Sequence, residues 1–317
     1  MLSRVAERVY WMGRYMERCE NVARLVDVNT KLLLDLPRGV SVGWGTLVDI
    51  SGGSDFYRRD LDSADERAVM RFLLADMNNP SSLMSSITYA RENARITREI
   101  LPSEVYTLVN DLYLYLKDRF PKGAARGERQ ALLEEVIEKV QQFTGMLAGC
   151  MSHNDAYSFL RLGRNLERAD MTSRIVDVGT SRILTKALEE TEANEPFENI
   201  LWMSVLRSLS GYQMYRQHVL DRVNAEDVVM FLVQDSLFPR SVAHCLSELS
   251  EAFDRLPNSD NAQRVLASVR RQLKTADILQ LIESGLHEYI DSIQSSIGEV
   301  HSEIADTWFL PQVQVTQ

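Results

Sequence analysis

An 18-residue segment occurs twice in this chain, 150 positions apart: GRYMERCENVARLVDVNT at 13–30 and GRNLERADMTSRIVDVGT at 163–180. Nine positions carry the same residue in both copies: Gly13, Arg14, Glu17, Arg18, Arg24, Val26, Asp27, Val28 and Thr30. Most of the charges are kept, while many of the apolar residues between them have changed. A repeat that only filled a core would keep apolar volume and let its charges drift. This one limits the fold to arrangements in which two ionic segments have equivalent places.

Further matches follow in the same order along both halves. VGWGTLVDISGGSDFYRR (42–59) lies over ILWMSVLRSLSGYQMYRQ (200–217), pairing Trp44 with Trp202, Gly53 with Gly211, Tyr57 with Tyr215 and Arg58 with Arg216. FLLADMNNPSSL (72–83) lies over FLVQDSLFPRSV (231–242), and VIEKVQQFTG (136–145) lies over YIDSIQSSIG (289–298). The offset changes by a few residues from match to match, as loop insertions produce. Ordered matches of this kind indicate a single domain, 1–317, made of an internal repeat, 1–150 and 151–317. Two copies of one unit pack naturally about a pseudo-two-fold axis, as in isologous dimers. That would bring the two ionic segments together.

The fold class expected is all-α, an internally duplicated helical bundle. Only 15 Gly and 8 Pro in 317 residues leave little material for a turn-rich β architecture. Apolar residues at Trp11, Met12, Tyr15, Met16, Cys19, Val22, Ala23 and Val26 have the spacing of an amphipathic helix, predicted from Ser3 to Leu36 and stopped by Pro37 and Gly39. A second helix is expected from an Asp62 or Ser63 cap to about Met77. A third starts at Asn79-Pro80 with proline in its first turn, and the next ends near Phe120. After a basic loop at 121–128 a helix runs to about Gly149. Ser152 to Asn154 caps the second motif helix, drawn to about Glu190, and the polar stretch 189–196 links it to a helix from Phe197. Helices at 224–233, 239–256, 261–273 and 277–307 complete the set.

A formal net charge of −10 argues against a nucleic-acid partner, since neutralising phosphates needs a basic face. No apolar run reaches the roughly 18 residues of a membrane span and no targeting segment is visible, so no membrane partner and a cytoplasmic location are expected. Cys19, Cys150 and Cys245 lack zinc or disulfide spacing and read as buried free thiols. The five histidines are scattered without a Glu-x-x-His pair, and no phosphate-cradling or dinucleotide loop occurs, so no metal and no cofactor is expected. His153 reads as a cap, with an acid or base role as the alternative.

On a helical wheel Gly13, Glu17, Glu20, Arg24 and Asp27 fall within an arc of about 80°, with Arg14 and Asn21 beside them. Gly163, Glu167, Asp170, Arg174 and Asp177 repeat that stripe, with Arg164 beside it. A solvated face with pairs such as Glu20–Arg24 is the plain explanation. The two glycines argue for more, because glycine inside a long helix costs about 1 kcal/mol and suggests close approach of another backbone or a ligand. Arginines beside acidic groups suit a ligand carrying carboxylate or phosphate, since guanidinium grips both bidentately while the acids take amines or orient arginine; an amino acid or peptide end fits that chemistry. The same groups would equally form a buried ion network fixing how the halves dock.

The segments MLSRVAERVYWMGRYMERCENVARLVDV (1–28), ARENARITREI (90–100), MSHNDAYSFLRLGRNLERADMTSRIVDV (151–178) and RVNAEDVVMFLVQDSLFPRSVAHCL (222–246) closely resemble the bacterial alpha-E family, all-helical proteins named for a Glu-Arg motif. The resemblance covers essentially the whole chain. It implies that Glu17, Arg18, Glu167 and Arg168 are the motif positions, with Arg91, Glu92, Asn93 and Arg95 contributed by the ARENAR segment. It also implies an association with an ATP-grasp-type ligase and a transglutaminase-like peptidase, and hence with peptide synthesis or modification. The candidate binding set is therefore Arg14, Glu17, Arg18, Glu20, Arg24, Arg91, Glu92, Asn93, Arg95, Arg164, Glu167, Arg168, Asp170 and Arg174. Three roles stay open: an accessory protein that binds the peptide or docks the ligase, an enzyme using Glu17 or Glu167 as base with arginine as anion clamp, and a purely structural partner. The first two need a cavity; the third needs direct Glu-Arg pairing.

Overall fold

The protein is described by a computed structural model over residues 2–35, 43–57, 61, 64–120, 126–179 and 195–310. The described residues are helical and contain no strand. In chain order the helices are α1 (Ser3–Asp35), α2 (Gly45–Ile50), α3 (Glu66–Leu74), α4 (Leu83–Ile96), α5 (Ser103–Arg119), α6 (Arg126–Cys150), α7 (Asp155–Val178), α8 (Glu195–Ser208), α9 (Tyr212–His218), α10 (Ala225–Gln234), α11 (Val242–Phe253), α12 (Asp260–Thr275), α13 (Ile278–Ser284) and α14 (Leu286–Ile304). A π-helical turn, Ala305–Phe309, follows. No helix among the described residues is long and apolar enough to cross a membrane.

The two motif helices, α1 and α7, cross at the centre of the molecule. Around α1 pack α4 and α6; around α7 pack α11 and α14. An outer helix closes each group, α5 against α4 and α6, and α12 against α11 and α14. Two further helices reach across, α2 onto α7 and α8 onto α1. Eighteen residues of α7 are buried, among them Ser158, Arg161, Asn165 and Glu167, so this helix is enclosed on nearly all sides. Val9, Tyr10, Met12, Met16, Cys19, Val22, Ala23 and Val26 of α1 are buried in the core.

Glycine sets how close the two central helices come. A Cβ added to Gly13 would lie 2.5 Å from the carbonyl oxygen of Leu160, and one added to Gly163 would lie 2.0 Å from that of Tyr10. Both are far inside van der Waals contact, so any side chain at either point would push the helices apart. The helix ends follow ordinary capping chemistry. Asn154 accepts from the backbone N–H groups of Ala156 and Tyr157 to start α7, and Ser82 and Ser241 cap α4 and α11.

Several local expectations shift. The cap of α3 is Asp65, and the expected Asp62 and Ser63 lie outside the described residues, as do Pro37, Gly39, Arg58, most of the 121–128 loop and the extension of the second motif helix to Glu190. Pro80 does not open α4. Asn79 accepts from the Ser81 N–H and donates to the Phe72 carbonyl, holding a turn from which α4 starts only after Ser82. The helix expected over 277–307 breaks at Gly285, whose φ of 129° lies in a region that favours glycine. Of the three thiols expected to be buried, Cys19 and Cys245 are and Cys150 is exposed.

Candidate functional site

The Glu-Arg residues meet across the α1–α7 crossing. Arg18 of α1 grips Glu167 of α7 with both arms of its fork, Nε to Oε1 at 2.5 Å and Nη2 to Oε2 at 3.0 Å. Arg14 adds a third bond, Nε to Oε2 at 2.7 Å. In the other direction Arg168 of α7 grips Glu17 of α1 through Nε at 3.0 Å and Nη2 at 2.7 Å. Here the third bond comes from Arg240, in the turn before α11, with Nη1 2.7 Å from Oε1. Arg240 also reaches Asn21 at 3.0 Å and, through Nη2, Glu20 at 2.8 Å. Glu20 is itself held by Arg24 at 2.7 Å, one turn along α1.

These carboxylates are out of reach of bulk water. Glu17 and Glu167 are each 2% exposed, and the guanidinium groups that hold them form the lid over them. Burial alone would raise the pKa of both acids. The arginines overturn that effect: Arg168 and Arg240 hold Glu17 at about 2, and Arg18 and Arg14 hold Glu167 at about 2. Burial likewise disfavours the Arg168 cation, yet Glu17 keeps its pKa above the usual arginine value. Beside the crossing, burial and the Arg14 charge lower His301 to about 4, and its Nδ1 shares a hydrogen bond with the Tyr10 hydroxyl at 2.8 Å.

Of the candidate residues, Arg14, Arg18 and Glu167 form one cluster at the crossing, and Glu17, Glu20, Arg24 and Arg168, joined by Arg240, form the other. Asp170 and Arg174 pair with each other at 3.1 Å along α7, where the Arg174 fork lies against Gly52. The ARENAR residues are elsewhere on α4. Arg91 donates to Asn110 at 2.8 Å and lies over the Tyr113 ring, Glu92 and Arg95 form an exposed pair at 2.7 Å, and the Asn93 side chain accepts from Arg8 at 3.4 Å. Arg164 joins no pair at all: it has no ion pair or hydrogen bond among the described residues, and its Nε is buried without a partner. Sequence reasoning missed Arg240. Its one signal is that it stands over Ser81 in the 72–83 match, a charge where the first copy has none.

The remaining polar groups have local roles. His153 contacts the Ala148 carbonyl through Nε2 at 3.1 Å and stacks on Tyr157, closing the turn into α7. Asp177, His287 and Asp291 place their ligand atoms within 4.8 Å of one another. There the two ring nitrogens of His287 face different acids, Nδ1 to Asp177 at 2.6 Å and Nε2 to Asp291 at 3.6 Å. That is the geometry of an imidazolium between carboxylates. The Asp177 bond and charge accordingly raise the His287 pKa. Two surface clefts, of about 600 Å³ beside Gln234, Ser247 and Arg270 and about 500 Å³ beside Phe56, Arg71 and Asn78, are lined by none of the candidate residues.

An all-helical molecule with a Glu-Arg network at its central crossing defines the class. The chain belongs to the Alpha-E family, a predicted alpha-helical domain with a conserved ER motif, whose model matches residues 1–309. Uncharacterised proteins of Mycobacterium bovis and Mycobacterium tuberculosis are similar to it, 21% identical over 325 residues. The match takes in 96% of this chain and 36% of each of those relatives, so the chain spans about a third of their length. No solved structure matches the chain.

Proposed function

We propose that this chain is a non-catalytic helical partner protein in which the Glu-Arg motifs clasp two fused copies of one unit, and that it docks with an ATP-grasp-type ligase and a transglutaminase-like peptidase in peptide synthesis or modification. One observation carries the clasp: both motif carboxylates are buried and each takes three hydrogen bonds from arginines, including a fork from the opposite helix. A general base needs a pKa near working pH and a free lone pair aimed at its proton. Glu17 and Glu167 are held at about 2 and are buried under arginines, which favours the clasp over base catalysis.

The two-copy reading is supported by contacts that repeat in both directions. Gly13 meets Leu160 and Gly163 meets Tyr10; Arg18 binds Glu167 and Arg168 binds Glu17. Gly52 and Ser210, aligned in sequence, both take positive φ, 66° and 56°, and the N–H of the next residue in each bonds back to Val48 or Leu206. Docking draws on the family resemblance and on the longer relatives, in which the matching region shares a chain with further sequence. The test is copurification of the full chain with the ligase and peptidase. A stable complex without turnover by this chain alone supports the reading. Peptide turnover by the isolated chain, lost in Glu17→Gln with folding intact, contradicts it.

A further inference from the structure

The ion network is asymmetric at one point, and the asymmetry leaves a cation over. Arg14 and Arg164 occupy the same place in the repeated segment. Arg14 spends its Nε on Glu167 at 2.7 Å. The carboxylate that corresponding geometry would offer Arg164 is Glu17, but Glu17 already takes Arg168 and Arg240. Arg240 supplies the bond that Arg164 would have made, and Arg164 is displaced from the clasp. Its Nε is sealed from water and has no partner among the described residues, whereas its two Nη groups are not sealed. Burial, and then the neighbouring Arg168 charge, hold its pKa below the usual arginine value. The nearby acid Glu248 is engaged by Arg161 at 2.7 Å.

A largely buried guanidinium with an orphaned donor is an unfavourable arrangement in a finished structure, since buried charges are normally paired. We infer that Arg164 anchors a site for a carboxylate supplied from outside the chain, as at the C-terminus of a peptide or on an amino acid. The ligand class follows from the charges around it. The guanidinium fork matches a planar carboxylate bidentately. Glu17 and Glu248 stand within electrostatic reach and disfavour a dianion, so a singly charged group suits the site better than a phosphate. The carboxylate would meet the two Nη groups, which unlike Nε are not sealed from water, so the arginines of the clasp stay on their own carboxylates. The site therefore does not rest on the docking proposal, and the two fail separately: Glu17 and Glu167 variants report the clasp, Arg164 variants the ligand.

The test uses the full chain and N-acetylglycine as probe at about 20 mM, well above the millimolar affinity that one bidentate contact supports. N-acetylglycinamide, which lacks the carboxylate, and inorganic phosphate form the other arms at matched ionic strength. The probe is expected to raise the thermal midpoint by about 2 °C, with no rise from the amide and a smaller one from phosphate. In Arg164→Met the response should vanish. That variant should also melt higher than the parent without ligand, because an unpaired buried cation is gone; a merely structural arginine would give the opposite. Arg164→Lys keeps the charge without the fork and should weaken N-acetylglycine binding about tenfold. No shift in the parent protein, a shift that survives Arg164→Met, or a larger Arg164-dependent response to phosphate would each overturn the assignment.

Discussion

Glu167 and Glu92 both sit beside arginines, yet only one of them carries structural weight. Glu167 is buried under Arg14 and Arg18, whereas Glu92 is exposed and bonded to its own-helix neighbour Arg95. Neutralising a buried acid strands the cations that enclosed it, a loss on the order of 3–5 kcal/mol; an exposed pair is screened by water. Glu167→Gln should therefore lower the urea midpoint severely, and Glu92→Gln should leave it where it was. The acids also set a pH dependence. Glu17 and Glu167 have folded pKa values depressed to about 2 from an ordinary 4.5. A depressed carboxylate contributes stability that is present above its unfolded pKa and lost as pH falls through the folded value. Urea midpoints measured from neutral pH downward should hold until about pH 4.5 and then fall steeply toward pH 2, and Glu17→Gln should flatten that fall.

Element boundaries and contacts were legible where one local force acts alone. The spacing of Tyr15, Cys19, Val22 and Val26 announces α1, the Asn154 cap announces α7, and glycines in mid-helix announce a close approach, all of which the structure contains. The break at Gly285 was hidden because apolar residues continue at helical spacing straight through it, from Ile278 and Ile282 to Leu286 and Ile290. Pro80 misled because the Asn79 side chain makes a turn that outcompetes a helix start. Glycines separate by what surrounds them. A Cβ added to Gly298 of α14 would have nothing within 4 Å, whereas one added to Gly163 would meet the Tyr10 carbonyl oxygen at 2.0 Å. Gly298→Ala should stabilise the protein by about 0.5–1 kcal/mol through helix propensity alone. Gly163→Ala should do the reverse, by more than about 2 kcal/mol, as the crossing is forced apart. Thermal melts of the two variants check both signs.

At the scale of the molecule, the repeated segment pointed to two ionic helices meeting, and α1 and α7 do meet. What the segment could not contain is Arg240, which lies outside it and is aligned with Ser81, so the ion pairs on Glu17 include a residue from outside the repeated segment. Arg164, whose Nε is left without a partner among the described residues, is the anchor of the proposed carboxylate site. The central claim is that the forks between α1 and α7 hold these two helices together. A double-mutant cycle on Arg18 and Glu167, built from Arg18→Met, Glu167→Gln and the double variant in the full chain, measures this by urea unfolding. The account predicts a coupling of about 2 kcal/mol between the two positions. Strictly additive losses, with a coupling indistinguishable from zero, would contradict it.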